Sequence, residues 1–181
     1  MSERMYPIPF RSLMNWAVTE YAREGELFGV HSVYRADGKT LPIFGEKIET
    51  PWGEERAFPS AAALADAELK DLRALGLGYR DSYVKQTAQR AAEDAGLLEQ
   101  IAALDFRQAE RALCEFPGVG KKVADCVALF SMDCREAFPK DVWIRRTAKE
   151  VYHMDACALE ASFGKEAGFA QQMLFYAARM K

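Results

Sequence analysis

LCEFPGVGKKVADC, residues 113–126, joins two apolar-periodic runs through a segment that neither run can absorb. Pro117 cannot continue the first helix, because it has no N–H and its ring clashes with the preceding turn. Gly118 and Gly120 open backbone angles that other residues avoid. The spacing predicts a tight glycine hairpin with a helix at 120–132 directly after it. The first N–H groups of such a helix have no intrahelical partner and lie at its positive dipole end, which suits a phosphate. Gly118, Val119 and Gly120 are therefore candidate phosphate contacts through their main chain.

Lys121 and Lys122 open the predicted helix, where the dipole disfavours added positive charge and favours a neutral, nucleophilic amine. Asp141 follows Pro139 and Lys140 and precedes an amphipathic run, Val142 to Tyr152, which predicts an N-cap or first-turn carboxylate. If the two helices pack as an antiparallel pair, with the chain returning through 132–139, Lys122 and Asp141 come to the same end. A lysine and a carboxylate placed so can carry out nucleophilic chemistry.

Working outward, helical periodicity dominates from Ser60 onward, over about 60–75, 81–95, 97–103, 107–115, 120–132, 142–153 and 164–180. Phe10 to Glu24 carries Leu13, Trp16, Ala17 and Tyr21 at helical spacing, with a stop before Gly25. Val30 to Phe58 is broken by Ala36-Asp37-Gly38-Lys39 and Pro51-Trp52-Gly53-Glu54, which predicts a short irregular or β-hairpin excursion near residues 30–58. The expected fold is mainly α, a helical bundle in one domain over 1–181. His31 and His153 have no partner spacing and are read as surface or packing residues.

A chain of 181 residues, half of them apolar, buries about 70% of its unfolded surface and needs no staples. The formal charge of -3 argues against a protein that coats nucleic acid nonspecifically. Local distribution matters more: residues 107–149 hold nine Lys/Arg (107, 111, 121, 122, 135, 140, 145, 146, 149) against six Asp/Glu (110, 115, 125, 133, 136, 141), a net of +3. The expectation is a weakly basic face beside the hairpin. Cys114, Cys126, Cys134 and Cys157 have no CxxC spacing, which argues against a zinc or iron–sulfur site. They read as reduced and partly buried, consistent with an intracellular location, cytoplasm or nucleoid in a bacterium. The first ten residues, MSERMYPIPF, have no apolar core long enough for a signal peptide or span.

GVGKKVADC followed by PKDVW resembles the helix-hairpin-helix glycosylases of base-excision repair that also cut the DNA strand, and within them the 8-oxoguanine DNA glycosylase/lyase branch. Three further segments are similar to that branch. Leu75-Gly76-Leu77-Gly78-Tyr79-Arg80-Asp81-Ser82-Tyr83-Val84 resembles its GLGYRxxYV loop, Ala170-Gln171-Gln172-Met173-Leu174-Phe175 its C-terminal helix, and Phe58-Pro59-Ser60 the start of one of its helices. The likeness runs from about Phe44 to the end. A closely spaced four-cysteine cluster, which marks the endonuclease III branch, is absent from the sequence.

The resemblance implies that Lys122 attacks the sugar C1′ and that Asp141 stabilises the positive charge building on that sugar. Cys126 matches a cysteine near the base pocket. Gln171 and Phe175 match residues on the Watson–Crick edge and face of a flipped base. Read from the residues alone, Gln171 is a surface polar side chain and Phe175 a core residue at helical spacing with Met173 and Leu174. Tyr79 matches a wedge that enters the stack and Arg80 a contact to the orphaned base, since a base inside a duplex must be flipped to be reached. Lys121 falls at a variable position and reads as a phosphate-contacting or solvated charge. Trp143 stands where some relatives have a phosphate-contacting histidine, and its indole N–H could serve.

The implied partner is damaged double-stranded DNA, bound by a monomer with no cofactor; an ion on the hairpin carbonyls is left open. The family also places an antiparallel sheet domain and an asparagine-rich helix before the helical domain. Residues 1–43 do not match these, and Asn15 is the sole asparagine in the chain, so both are expected to be missing here. Lesion selectivity, which depends on a main-chain carbonyl of that domain, does not carry over. Two other readings stand beside a glycosylase: a lyase acting only on abasic sites, and a hairpin module that grips DNA without chemistry.

Overall fold

The computed structural model describes residues 44–50, 53–56 and 59–179. The helix expected at Phe10 to Glu24, His31 and the residue 30–43 part of the excursion lie outside them. The chain divides into two compact units. One runs up to Gln100 and includes Phe116–Gly118; the other comprises Ile101–Glu115 and Val119–Lys181.

In the first unit, β1 (Lys47–Thr50) and β2 (Gly53–Arg56) pair antiparallel with Ile48 opposite Glu55 and Thr50 opposite Gly53. Here the excursion is a β-hairpin. It is followed by α1 (Ala61–Asp66), whose N-cap Ser60 accepts the Ala63 N–H through Oγ at 3.1 Å. The single helix expected over 60–75 is two. Ala67 turns to ψ 139° and Glu68 to ψ 141°, and α2 (Leu69–Ala74) begins afresh. The freed Ala67 carbonyl accepts Lys85 Nζ at 2.7 Å, a tertiary partner that helical periodicity cannot announce. A 3-10 turn, Gly78–Arg80, leads into α3 (Asp81–Glu93), which packs on α1. Leu64, Leu72, Val84 and Ala88 are fully buried, and the Asp81 carboxylate, also hidden, is met by Arg73 Nε at 2.7 Å.

α4 (Leu97–Ala102) carries the chain into the second unit. There α5 (Phe106–Leu113), capped by Asp105, packs on α6 (Lys121–Ser131). α7 (Val142–Glu150), α8 (Ala156–Phe163) and α9 (Ala167–Arg179) pack on one another around Phe138, Ile144, Ala148, Leu159 and Ala167. α8 falls between the runs that helical periodicity marks, 142–153 and 164–180. Its signals are local, however: Asp155 caps it by accepting the Cys157 and Ala158 N–H groups at 2.7 and 3.0 Å, and Gly164 ends it at φ 57°. Those amides hold the Asp155 carboxyl below its ordinary range.

The main packing of α6 is on α5, and that of α7 is on α8 and α9, rather than α6 and α7 on each other. α6 carries the buried Val123, Ala124, Val127 and Ala128, and the α5 residue Phe106 clusters with Ala128 and Ala137.

Candidate active site

The hairpin has the predicted form, but its two glycines do different things. Gly118 sits at φ 75°, a left-handed conformation that costs an L-residue strain, and a β-carbon there would meet the Tyr83 ring. Gly120, the N-cap of α6, has φ -98° and ψ 177°, which any residue adopts, and a β-carbon on it would meet nothing within 4 Å. Its importance cannot be conformational; a glycine there keeps the helix start open to close approach. No side chain caps α6. Val119 is buried.

Lys122 is the second residue of α6 and is half-buried; Cys126 follows one turn later, also half-buried. Lys121 is exposed at the start of α6 and is ion-paired there. Its ammonium binds the Glu110 carboxylate of α5 and stands 3.7 Å from Asp125 Oδ1. Arg107 Nη1 reaches Glu110 at 3.2 Å. Asp125 is 2% exposed, and burial pushes its carboxyl upward, opposed by Lys121 and Lys140 and reinforced by Glu160. One carboxyl thus responds to charges at the start of α6 and to those beside Asp141, which draws both into one electrostatic neighbourhood.

Asp141 is the N-cap of α7 as expected, and its Oδ1 accepts the Ile144 N–H at 2.8 Å. The residues before it are held from three helices. Gln171 Nε2 of α9 donates to the Pro139 carbonyl at 3.2 Å, Arg145 Nε of α7 donates to the Lys140 carbonyl at 3.2 Å, and Lys140 Nζ lies 2.6 Å from Glu160 Oε2 of α8. Gln171 is 3% exposed, so its reading as a surface residue is corrected: its Oε1 also accepts from Gln172 Nε2. Phe175 is partly buried against the α7–α9 core, as its core reading expects. Trp143 is half-buried, with the Arg146 guanidinium 5.7 Å from its ring centroid.

Gly168 sets how closely α9 approaches the segment before Asp141. Its N–H donates to the Arg135 carbonyl at 2.7 Å, and a β-carbon there would lie 2.8 Å from the Arg135 and Ala137 carbonyl oxygens. Glu110, Asp125, Glu160 and Gly168 were not singled out in the sequence, because each matters through a partner remote along the chain.

In the first unit, Tyr79 is 63% exposed, set edge-on to Tyr83 with centroids 5.9 Å apart, and Arg80 stands 4.6 Å from its ring centroid. Arg80 is itself buried. Of the nine cations counted for the basic face, Lys140 is buried against Glu160, whereas Lys121 pairs with Glu110 and stays exposed. All four cysteines are free, but Cys114 and Cys157 are exposed rather than partly buried. No group of three or more potential metal-ligating residues gathers among the described residues, and no helix among them is long and apolar enough to cross a membrane.

The fold is that of the helix-hairpin-helix DNA glycosylases. It is similar to the 8-oxoguanine glycosylase/lyase of Clostridium acetobutylicum solved in complex with dsDNA containing cytosine opposite 8-oxoG, with TM-score 0.79 and 29% identity over 95% of this chain and 60% of that one. Residues 39–163 match the HhH-GPD superfamily base excision DNA repair protein family, and the chain belongs to it. Curated relatives include a probable N-glycosylase/DNA lyase of Methanothermobacter thermautotrophicus, 37% identical over 122 residues, 64% of this chain and 39% of that protein. Another is the N-glycosylase/DNA lyase OGG1 of Arabidopsis thaliana, 32% identical over 142 residues, 68% of this chain and again 39% of that protein. The chain spans well under half the length of these relatives.

Proposed function

We propose that this chain carries the catalytic part of a base-excision DNA glycosylase with AP lyase activity, acting on an oxidised purine, 8-oxoguanine above others, in double-stranded DNA. The observation that carries the reading is Lys122 in the first turn of α6, directly after a glycine hairpin whose N-cap is open to close approach. The likeness to proteins named glycosylase/lyase supports it.

In this reading the Lys122 amine, deprotonated, adds to C1′ as the bond from C1′ to the base nitrogen breaks and the base leaves with that electron pair, taking up a proton. The carboxylate of Asp141 offsets the positive charge on the sugar as the bond lengthens. Ring opening gives a protonated Schiff base on Lys122. Loss of a C2′ proton then expels the 3′ phosphate, and water releases the lysine. Tyr79 fills the gap left by the flipped base, and Gln171 and Phe175 contribute to its pocket. The hairpin amides and Trp143 hold phosphate, and Cys126 lies beside the pocket.

Borohydride trapping on a duplex with 8-oxoguanine opposite cytosine, beside an abasic duplex, tests this with Lys122→Gln as control. A covalent band on the lesion duplex that the variant lacks is the expected result. A band on the abasic duplex alone reduces the function to a lyase, and binding with no band on either leaves a hairpin module without chemistry.

A further inference from the structure

We propose that Glu160 is a positioning residue for Asp141, acting through Lys140. Its chemical consequence rests on the glycosylase and lyase reading, whereas its geometric content does not. Lys140 and Glu160 are 8% and 18% exposed at the side chain, with Nζ and Oε2 2.6 Å apart. An ion pair on the surface contributes little, but a hidden one is costly to break, because removing one partner strands the other charge away from water. Lys140 is peptide-bonded to Asp141. Anchoring its side chain to α8 therefore restrains the backbone from which the Asp141 carboxylate projects.

Neighbouring contacts act in the same sense. Phe138 stacks on Phe163, on the same helix as Glu160, with centroids 6.4 Å apart, and the Lys140 ammonium lies 5.9 Å from the Phe138 ring centroid. The Pro139 and Lys140 carbonyls are taken by Gln171 and Arg145. Of these ties, the one to Glu160 is the single contact in which two charges are withdrawn from water, and so the one whose loss moves the segment most.

The test compares the full chain with Glu160→Gln and with the double variant Lys140→Met/Glu160→Leu. It reads hydrogen exchange at the Ile144 amide, which Asp141 caps, together with single-turnover trapping and duplex affinity. Glu160→Gln is expected to speed Ile144 exchange and to slow trapping by about tenfold to a hundredfold, the scale of a small misplacement, with duplex affinity unchanged. The double variant replaces the pair by apolar packing and recovers most of both. Unchanged Ile144 exchange in Glu160→Gln would overturn the inference. So would protection lost evenly across α7 and α8 with duplex affinity falling alongside, the mark of a purely structural role. If the unaltered chain traps nothing on either duplex, the glycosylase reading falls, and Ile144 exchange still decides the positioning.

Discussion

Gly118 lies so close against Tyr83 that a β-carbon at position 118 would sit 2.7 Å from Cε2 of the ring. Gly118 and the α3 residue Tyr83 thereby pack together through a residue with no side chain. Gly118→Ala adds a left-handed alanine to that clash, and a loss of about 2–4 kcal/mol is expected from strain and overpacking together. Gly120→Ala meets neither obstacle and is expected to fold with stability close to that of the unaltered chain. Urea denaturation of the two variants checks the contrast, and weakened duplex binding by Gly120→Ala alone would place its role at the ligand.

Gly168→Ala forces a methyl against two backbone oxygens that cannot swing away. The expected cost is about 1–3 kcal/mol, the range for overpacking, measured by denaturant unfolding. Because α9 also carries Gln171, slower trapping at unchanged duplex affinity is expected in the fraction that remains folded.

Asp141 has a structural and a chemical part that substitution separates. Asn caps a helix about as well as Asp, so Asp141→Asn is expected to unfold near the unaltered Tm, whereas Asp141→Ala loses about 0.5–2 kcal/mol. Both remove the charge. Trapping by each is expected to fall by about a hundredfold to a thousandfold, the scale on which an electrostatic stabiliser acts.

Asp125 makes stability depend on pH in a stated direction. Burial, more than any charge, raises its carboxyl above the ordinary value, so the folded chain holds the proton more tightly than the unfolded one. Stability from this group falls as pH rises from the ordinary carboxylate value through the raised one, and the penalty is complete above it. Asp125→Asn carries no such charge. It is expected to have the higher Tm at pH 7, with the difference shrinking as pH is lowered through that window; a difference that grew on acidification would contradict the assignment.

The hairpin, the α6 start and the Asp141 cap were legible because each is a local event. Pro117 and Gly118 act through their own backbone angles and Asp141 on an amide three residues on, and their chemistry is the same wherever the segment sits. α8 is marked by Asp155 and Gly164 but not by periodicity, since its first turn, ACAL, shows little polar alternation. The break at Ala67 could not be read: that carbonyl leaves the helix for Lys85, eighteen residues away.

By itself the sequence determined the helical class, the hairpin and the helix-start positions of Lys122 and Asp141, because backbone sterics and helix-end hydrogen bonding are settled over short spans of chain. Only the tertiary structure decided which cations remain available and what holds Asp141. Lys121 and Lys140 look like any surface lysine in one dimension. Lys140 becomes a strut once Glu160 meets it, since burial makes an ion pair's partner as important as the charge itself, whereas Lys121 pairs with Glu110 and stays exposed.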